Sequence, residues 1–340
     1  MDITLDFTNY SLKVLRILSL IYGLVAYLRN LLYDTGMLKS YKVPCIVISV
    51  GNLEAGGTGK TPFTLALAEE LKSKGYNVAI VTRGYKGRQK GALLVNGAHD
   101  AIDVGDEALL MARVSSVPVI KAVDRVDGGL YATGKLGANM IILDDGFQHR
   151  RLSRDFDIVL VSRDLEKEHL VPWGRLREHI SRLKRADMIV YTKGIGGEVQ
   201  AGLYPECLIA RDGQMLGCEL LQGKSVLAFC GIARPQGFFD MLKDLGAYIE
   251  TMVFKDHHFF SGRDIRRIKE RAKAHDLVVT TEKDIVRLPP EVQGANWYSL
   301  RVKMKVDGMD RIVQEIEKVA EKRHISGQGR YHNKGQGIPE

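Results

Sequence analysis

The sequence predicts an α/β protein that contains a doubly wound parallel sheet followed by a second, smaller α/β domain. Two observations predict this fold: short β-branched runs alternate with helical stretches from Tyr41 onward, and a glycine-rich loop separates the first run from the next helix. The predicted organisation is a helix within residues 1–40, a large domain in 41–205, a linker in 206–224, a smaller domain in 225–323 and a disordered tail in 324–340.

Apolar runs bounded by turn residues mark the individual elements. The predicted strands are residues 45–50, 78–82, 117–122, 140–143, 156–161 and 188–192 in the large domain, and 225–230 and 277–281 in the smaller one. The predicted helices that follow them include residues 61–74, 236–245 and 309–322. Strands that alternate with helices in this way predict a sheet with helices on both faces.

The composition excludes the disordered and fibrous classes. The 340 residues are 45% hydrophobic and 26% charged, which suffices for one large core or two modest ones. A formal net charge of +8 favours partners that carry phosphate, and a solvated basic surface without a partner fits equally well. The cysteines show neither a CxxC pair nor metal-ligand spacing, which indicates buried thiols in a reducing compartment: Cys45, Cys207, Cys218 and Cys230.

An uncharged stretch of twelve residues, 17–28, lies between Arg16 and Arg29 near the N-terminus. A bilayer-spanning helix needs about 20 apolar residues, so this stretch is too short to cross a membrane, and no cleavage site follows it. A helical wheel shows one narrow polar stripe, which consists of Lys13, Arg16, Ser19, Gly23 and Asn30. The pattern predicts an interfacial helix at a membrane surface, with a helix packed on the domain core as the alternative.

The strongest chemical signal is the loop between the first predicted strand and the helix after it, with the residues Gly56, Gly57, Thr58, Gly59, Lys60 and Thr61. A strand, a glycine-rich loop and a helix in series are the context of a Walker A loop, as in P-loop NTPases. Glycines let backbone amides surround phosphates, the lysine reaches the outer oxygens and the threonine hydroxyl can bind Mg²⁺. Two residues depart from the common patterns, Glu54 and Ala55. The loop predicts a site for nucleotide phosphates.

Two adjacent carboxylates follow the predicted strand 140–143. Asp144 and Asp145 would lie at the carboxyl end of that strand, which faces the ligand crevice of a doubly wound sheet. One of them can hold Mg²⁺ directly or through water, and a turn or a helix cap is the other interpretation of such a pair. The Walker A loop in the same chain favours the metal-binding interpretation.

Further strings complete a larger pattern: TRGY from Thr82, VGDEA from Val104, LDDGFQH from Leu143, VPWGRLRE from Val171, GIARP from Gly231, FKDH from Phe254 and TEKD from Thr281. With GGTGKTP, these strings closely resemble the tetraacyldisaccharide 4'-kinase family from the N-terminal helix to about residue 320. The resemblance implies that ATP and Mg²⁺ serve transfer of the γ-phosphate to the 4' hydroxyl of a tetraacyldisaccharide 1-phosphate, a lipid A precursor. It also implies attachment of the N-terminal helix to the cytoplasmic face of the bacterial inner membrane.

The resemblance assigns roles to residues of the predicted site. Asp106 is expected to accept the proton of the sugar hydroxyl, and His257 is expected to form a dyad with it when the two domains close. Lys60 and the loop amides are expected to balance phosphate charge. By local sequence alone, Asp106 also fits a helix cap and His257 also fits a side chain packed among aromatic neighbours.

The metal site is expected to contain Thr61 and Asp145 as ligands, with Asp144 and Glu178 as direct or outer partners. Trp173 and Arg175 differ from the smaller residues or proline that related sequences often have there. That departure concerns the substrate side of the site and leaves the reaction unchanged.

Three other functions compete with this interpretation. A P-loop GTPase or ATPase that acts as a switch or chaperone would hydrolyse nucleotide without an acceptor, but the guanine-reading string Asn-Lys-x-Asp is absent from the sequence. A non-enzymatic membrane-surface protein would keep nucleotide as a structural ligand. A nucleic-acid enzyme would need interleaved aromatic and basic residues or a recognition helix, and the sequence has neither.

Overall fold

The computed structural model describes residues 3–192, 196–288 and 294–327, and within these ranges it describes side chains from residue 13 to residue 323. One continuous sheet runs through the described chain. Helices pack on both of its faces, because side chains alternate along each buried strand between two hydrophobic clusters. The predicted α/β class with a doubly wound parallel sheet is confirmed.

The bounds of the elements follow the chain. The strands are β1 (Ile46–Gly51), β2 (Val78–Thr82), β3 (Leu93–Leu94), β4 (Val119–Lys121), β5 (Met140–Asp144), β6 (Phe156–Val161), β7 (Met188–Thr192), β8 (Gln200–Ala210), β9 (Met215–Leu216), β10 (Ser225–Cys230), β11 (Tyr248–Val253), β12 (Leu277–Thr281) and β13 (Trp297–Asp307). The α-helices are α1 (Ile3–Asp34), α2 (Lys60–Ser73), α3 (Ala101–Val104), α4 (Asp106–Val114), α5 (Arg125–Leu136), α6 (Gln236–Asp244), α7 (Gly262–Ala272), α8 (Glu282–Ile285) and α9 (Met309–Gly327). Short 3-10 helices cover Ile180–Arg185 and Cys218–Leu221.

The strand order places the glycine-rich loop at the centre of the sheet. The order is β11-β10-β12-β13-β8-β7-β6-β1-β5-β2-β4-β3, with β9 paired to β8 outside this path. β1 pairs in parallel with both β5 and β6, and all six residues of β1 are buried. The chain leaves β1 toward β2 on one side and returns to β6 on the other, so ligands are expected at the carboxyl ends of β1 and β5.

A long antiparallel ladder joins the first half of the sheet (residues 46–210) to the second half (residues 211–307). β8 and β13 have 11 residues each and pair along their whole length. The register shifts between Arg301 and Val302, where the partner strand contains Pro205, which has no backbone N–H to donate. Among the described residues, this ladder is the only strand pairing that joins β8 to the parallel strands of the second half.

The structure corrects two predicted boundaries. Residues 206–224 were expected to be a linker, but β8 continues to Ala210, and β9 and a 3-10 helix follow it. Gly202 and Pro205 lower the apparent strand propensity of this segment, and the ladder to β13 overrides it. At the C-terminus α9 continues to Gly327, so the predicted tail overlaps a helix at residues 324–327, while residues 328–340 lie outside the described chain. The division into two domains stays a prediction.

Helix α1 is longer than the uncharged stretch suggested. It has 32 residues, and by length and composition alone its segment Lys13–Asp34 could cross a membrane, which corrects the expectation that it is too short. Several residues of the predicted polar stripe face the protein: Ser19 donates from Oγ to the carbonyl of Leu170 at 2.8 Å, and Asn30 is buried. A Cβ at Gly23 would lie 2.7 Å from Leu170, so this close packing needs a glycine. The part of the polar stripe from Ser19 to Asn30 docks on the rest of the protein, while Lys13 and Arg16 are exposed.

The opposite side of α1 is apolar and exposed. Its exposed large side chains include Ile17, Leu20, Ile21, Leu24, Val25 and Leu28, and Leu20 is 74% exposed. An exposed apolar strip of this kind marks an interaction surface. One side of α1 thus packs on the protein, as the alternative interpretation predicted, and the other lacks a cover among the described residues. Binding of α1 to a membrane surface stays a prediction.

Replacing Asn30 with leucine tests how α1 docks. The side-chain carbonyl of Asn30 accepts from Arg185 at 3.1 Å and lies 3.4 Å from a nitrogen of Arg150. We expect Asn30→Leu to lower the free energy of unfolding by about 1–3 kcal/mol, because it leaves buried guanidinium groups without this acceptor. Chemical denaturation in detergent measures the change. The control Leu20→Ala, on the exposed side, should stay within about 0.5 kcal/mol of the original protein; an equal loss in both variants would contradict the docking described.

Candidate active site

A cleft of about 2060 Å³ lies along the carboxyl ends of the parallel strands, between the two halves of the sheet. The glycine-rich loop and the Asp144–Asp145 pair line it from the first half. His257 and Lys283 line it from the second half, where they follow β11 and β12. The cleft therefore brings together the predicted phosphate loop and two residues that lie 196 or more positions further along the chain, since 257 − 61 = 196.

The backbone of the glycine-rich loop is open to the cleft and adopts conformations that favour glycine. Gly59 has φ 87° as the residue before α2, and Gly56 has φ 109°, both in the region that favours glycine. A Cβ at Gly56 or Gly57 would meet nothing within 4 Å, so open space lies directly against the loop backbone. The N-terminus of α2, a helix of 14 residues, adds partial positive charge at the same place. These features fit the phosphates of a nucleotide.

Polar contacts hold the lysine of the loop in position. Lys60 donates from Nζ to the side-chain carbonyl of Asn52 at 3.1 Å, and the same nitrogen lies 3.4 Å from Oδ1 of Asp145. The amide of Asn52 in turn donates to the hydroxyl of Thr58 at 2.9 Å. Asn52 therefore links the first part of the loop to the lysine. The cleft lining includes Thr61, the next residue.

The two aspartates at the carboxyl end of β5 differ in pKa. Asp145 has a left-handed backbone conformation, with φ 52°. Nη1 of Arg177 donates to both of its carboxylate oxygens, at 2.9 and 2.8 Å. Burial would raise the pKa of Asp145, but the charges of Lys60 and Arg177 lower it to about 2. Burial raises the pKa of Asp144 to about 7, and the negative charges of Glu107 and Asp145 act in the same direction. Asp145 is thus a stable carboxylate, whereas Asp144 needs a cation close by to ionise fully.

The oxygen donors of the cleft fit Mg²⁺ bound together with phosphate. The hydroxyl of Thr61 and the carboxylates of Asp144 and Asp145 are the hard oxygen ligands that this ion prefers. Among the described residues no cluster of three or more histidine, cysteine, aspartate or glutamate side chains could hold a metal by itself. Mg²⁺ usually takes one or two carboxylates and completes its shell with water and substrate phosphates, so a small donor set suits it.

Asp106 and His257 meet across the two halves of the molecule. Nδ1 of His257 lies 2.9 Å from Oδ2 of Asp106, and Arg287 makes a close ion pair with the same oxygen. Burial would raise the pKa of Asp106, but the hydrogen bond to His257 and the charges of Arg287 and Lys283 hold that pKa far below its ordinary value. Because the carboxylate is ionised and can only accept, Nδ1 of His257 carries the proton of this hydrogen bond.

Asp106 has features of both interpretations, because it begins a helix and also contacts His257. It is the first residue of α4, and Gly105 precedes it without a side-chain cap. Its Oδ1 accepts a hydrogen bond from the amide of Glu107 at 3.0 Å, while Oδ2 faces His257 and Arg287. Asp106 is buried behind the cleft surface, which His257 and Glu107 line. The histidine therefore stands between the cleft and the carboxylate.

Lys283 completes this group of charges. Its Nζ lies 3.3 Å from Nε2 of His257, 3.1 Å from Oε1 of Glu107 and 3.6 Å from Oδ1 of Asp256. Burial would lower the pKa of Lys283, but the charges of Glu107, Asp106 and Asp256 raise it. Lys283 stays an ammonium ion, and it links the Asp106–His257 pair to the carboxylates at the cleft surface.

Comparisons with known proteins identify the family of this chain. The family described as tetraacyldisaccharide-1-P 4'-kinase (LpxK) matches residues 11–321. The chain belongs to this family. A tetraacyldisaccharide 4'-kinase of Syntrophus aciditrophicus is 39% identical over 317 residues, covering 82% of this chain and 84% of that protein. The kinase of Koribacter versatilis is 37% identical over 317 residues, covering 90% of this chain and 98% of that protein.

A solved structure of the family shares the fold. A crystal structure of LpxK from Aquifex aeolicus in complex with ATP matches with a TM-score of 0.76 and 34% sequence identity. The match covers 91% of this chain and 99% of the Aquifex chain. The P-loop kinase interpretation of the sheet and of its loop is thus confirmed at the level of fold and family.

Glu178, which the sequence predicted as a partner of the metal, lies outside the large cleft. Glu178 is buried and bonded to Arg185, whose Nη2 is 2.7 Å from Oε2, and Arg29 lies 3.7 Å from Oε1. It lines a small cavity under α1 and does not line the large cleft. Two positive partners already balance its charge, so we no longer assign Glu178 to the metal. Its neighbour Arg177 is the residue of that string that reaches the cleft.

Sequence reasoning did not assign the cations that hold the acidic residues. Arg177, Lys283 and Arg287 each contact an acidic residue of the site, yet they were not among the predicted site residues. Arg177 and Lys283 lie in strings that carried the family resemblance, which was the available signal. Arg287 lies outside those strings, and its position becomes visible only when α8 packs beside α4.

The charge on Asp106 predicts a pH dependence of stability. A carboxylate whose folded-state pKa is lowered stabilises the protein above its unfolded pKa, about 3.9, and this stabilisation is lost as pH falls through the folded pKa. We expect Asp106→Asn to lower the melting temperature at pH 7, and we expect the difference from the original protein to narrow below about pH 4. Thermal unfolding from pH 3 to pH 8 measures this, and a constant difference would contradict the ionised pair.

Proposed function

We propose that this chain transfers the γ-phosphate of ATP to the 4' hydroxyl of a tetraacyldisaccharide 1-phosphate, a lipid A precursor. The observation that carries the proposal is the Asp106–His257 contact of 2.9 Å on a cleft that the Walker A loop also lines. Membership of the tetraacyldisaccharide-1-P 4'-kinase family supports the substrate, and the Aquifex structure with ATP supports the phosphate donor.

The residues of the chain divide the reaction between them. The loop amides and Lys60 balance the charge on the outer phosphates, and Arg177 keeps Asp145 ionised. Mg²⁺ bound with the nucleotide supplies further positive charge on the phosphate oxygens, and Thr61, Asp145 and Asp144 would hold it. The hydroxyl oxygen forms the new bond to phosphorus, the bond from phosphorus to the ADP oxygen breaks, and the hydroxyl proton passes to the Asp106–His257 pair. The 2.9 Å hydrogen bond between Nδ1 of His257 and Asp106 already contains a proton, so the incoming proton would be taken up at Nε2 of His257, and the Asp106 carboxylate would balance the imidazolium.

The exposed apolar side of α1 supports a reaction at a membrane surface. We propose that this side lies in the cytoplasmic leaflet of the bacterial inner membrane, with the acyl chains of the substrate in the same leaflet. Arg16 stacks on Trp173 at 4.4 Å, and Arg29 lines the cleft, so basic groups lie where anionic headgroups would be. A lipid acceptor can then reach the cleft without leaving the membrane surface.

A transfer assay tests the proposed reaction. Incubation of the full chain with radiolabelled ATP, Mg²⁺ and the disaccharide monophosphate lipid should place label in the lipid. We expect Asp106→Ala to reduce kcat by about 10²-fold or more, because the pair loses its carboxylate. We expect Lys60→Met to reduce kcat by about 10²–10³-fold, because the phosphates lose a buried positive charge.

The control for this assay is Glu270→Ala, which removes a carboxylate on α7 that is 74% exposed and does not line the cleft. It should transfer phosphate at the rate of the original protein. Label that appears only as free phosphate, at a rate independent of the lipid, would contradict a kinase and favour the ATPase or GTPase alternative.

Binding to vesicles tests the membrane proposal separately. We expect the double substitution Leu20→Asp and Leu24→Asp to weaken binding to vesicles of phosphatidylethanolamine and phosphatidylglycerol at least about tenfold, because two apolar side chains no longer enter the acyl region. Co-sedimentation measures the bound fraction. Tyr248→Asp, at a 73% exposed residue on β11, is the matched control and should bind like the original protein. Equal binding of all three proteins would contradict the role of α1.

A further inference from the structure

Glu54 is a buried carboxylate two residues before the first glycine of the phosphate loop. Its side chain is 1% exposed, and it stands where the common loop pattern has a glycine. Oε1 accepts two hydrogen bonds from Ser162, from the amide at 3.1 Å and from the hydroxyl at 2.6 Å. Burial would raise the pKa of Glu54, but these bonds and two arginine charges lower it. A carboxylate held in this way stays charged inside the protein.

Two arginines from different halves of the sheet share the other oxygen of Glu54. Arg163, directly after β6 and Ser162, places Nε 2.9 Å from Oε2. Arg234, between β10 and α6 in the second half, places Nη2 at the same distance from Oε2. Arg234 also donates from Nη1 to the hydroxyl of Ser162 at 2.8 Å. The second half is therefore bonded to the segment that begins the phosphate loop.

From these contacts we infer that Arg234 is a positioning residue that couples the second half of the molecule to the phosphate loop and so raises the affinity for nucleotide. The inference rests on the proposed use of ATP by this loop. The amide of Ala55 donates to the carbonyl of Arg175 at 2.7 Å, so the residues before Gly56 are bonded on two sides. A loop held in its binding conformation has less conformational freedom to lose when a triphosphate binds.

The position of Arg234 also makes the contact depend on the width of the cleft. Ile232, Ala233 and Arg234 line the cleft on the side of the second half. If the halves separate, Arg234 leaves Glu54, and a buried carboxylate keeps only Arg163 as its cationic partner. Such a loss is costly, so the contact favours the closed arrangement in which His257 also reaches Asp106. Nucleotide and closure would then support each other.

Direct contact between Arg234 and the nucleotide is the rival explanation, because both lie on the same cleft. A double-mutant cycle separates the two explanations. If Arg234 acts through Glu54, its removal matters little once Glu54 is neutral. If Arg234 touches the phosphates itself, its removal costs the same whether or not Glu54 is charged.

The experiment measures binding of the nonhydrolysable analogue AMP-PNP with Mg²⁺ to the full chain in detergent by calorimetry. We expect Arg234→Met and Glu54→Gln each to weaken binding about tenfold, and the double variant to bind no more weakly than the weaker single one. In the transfer assay the KM for ATP should rise by the same factor, with kcat at saturating ATP within about threefold. Additive losses in the double variant would overturn the inference.

Arg163→Met is the matched control, because Arg163 contacts the same oxygen at the same distance from within the first half. It should lower the melting temperature but weaken AMP-PNP binding less than about threefold, and a loss equal to that of Arg234→Met would overturn the inference. Glu54→Gln leaves two arginines facing a neutral amide and can fail to fold. In that event the variant to measure is Arg234→Lys, which keeps the positive charge but lacks the two guanidinium nitrogens that contact Ser162 and Glu54. It should weaken AMP-PNP binding less than Arg234→Met does, and binding equal to that of the original protein would overturn the inference.

Failure of the proposed kinase function can be distinguished from failure of the inference about Arg234. AMP-PNP binding by the original protein without label in the lipid would contradict the kinase proposal and leave the coupling of Arg234 to be judged by binding alone. Absence of AMP-PNP binding in the original protein would overturn both.

Discussion

The antiparallel ladder between β8 and β13 is the constraint on which the site depends. The parallel strands on either side of it carry their ligand-facing loops at their carboxyl ends, and the ladder decides how the two sets of loops face each other. It is 11 residues long, so it fixes the relative direction of the halves over a long contact. His257 and Lys283 reach the phosphate-loop side of the cleft because of this arrangement.

Three acids around the cleft are each stabilised by a cation from another part of the chain. Asp145 depends on Arg177 after β6, Asp106 on Arg287 after α8, and Glu54 on Arg234 after β10. An unpaired buried charge is costly, so the loss of such a cation would destabilise the ionised form of the acid. Two of these three pairs join the halves, so contact between the halves favours the ionised forms of Asp106 and Glu54.

The sequence predicted the local parts of this site well and the distant parts poorly. A strand, three glycines, a lysine and a helix lie within 30 residues, so one short string reveals the phosphate loop, and the Asp144–Asp145 pair follows from its own strand. Asp106 and His257 were assigned through family resemblance, because they lie 151 residues apart and no local pattern joins them. Strand β8 was not predicted, because Pro205 lowers the local strand propensity and the pairing with β13 that stabilises the strand cannot be read from the local sequence. The sequence also could not show which side of α1 docks on the protein, because a polar stripe of this kind suits a membrane surface and a protein surface equally.

The low pKa of Asp106 is compatible with its proposed part in proton transfer. A carboxylate bonded to Arg287 and His257 is a weak base and would not remove a proton from a free sugar hydroxyl. In phosphoryl transfer the transition state is loose, so the hydroxyl loses its proton late, when its oxygen is already bonding to phosphorus and the proton has become acidic. A weak base that is correctly placed then suffices. His257, which stands between Asp106 and the cleft, gives that proton a second nitrogen close to the surface, while the ionised carboxylate stabilises the imidazolium that would result.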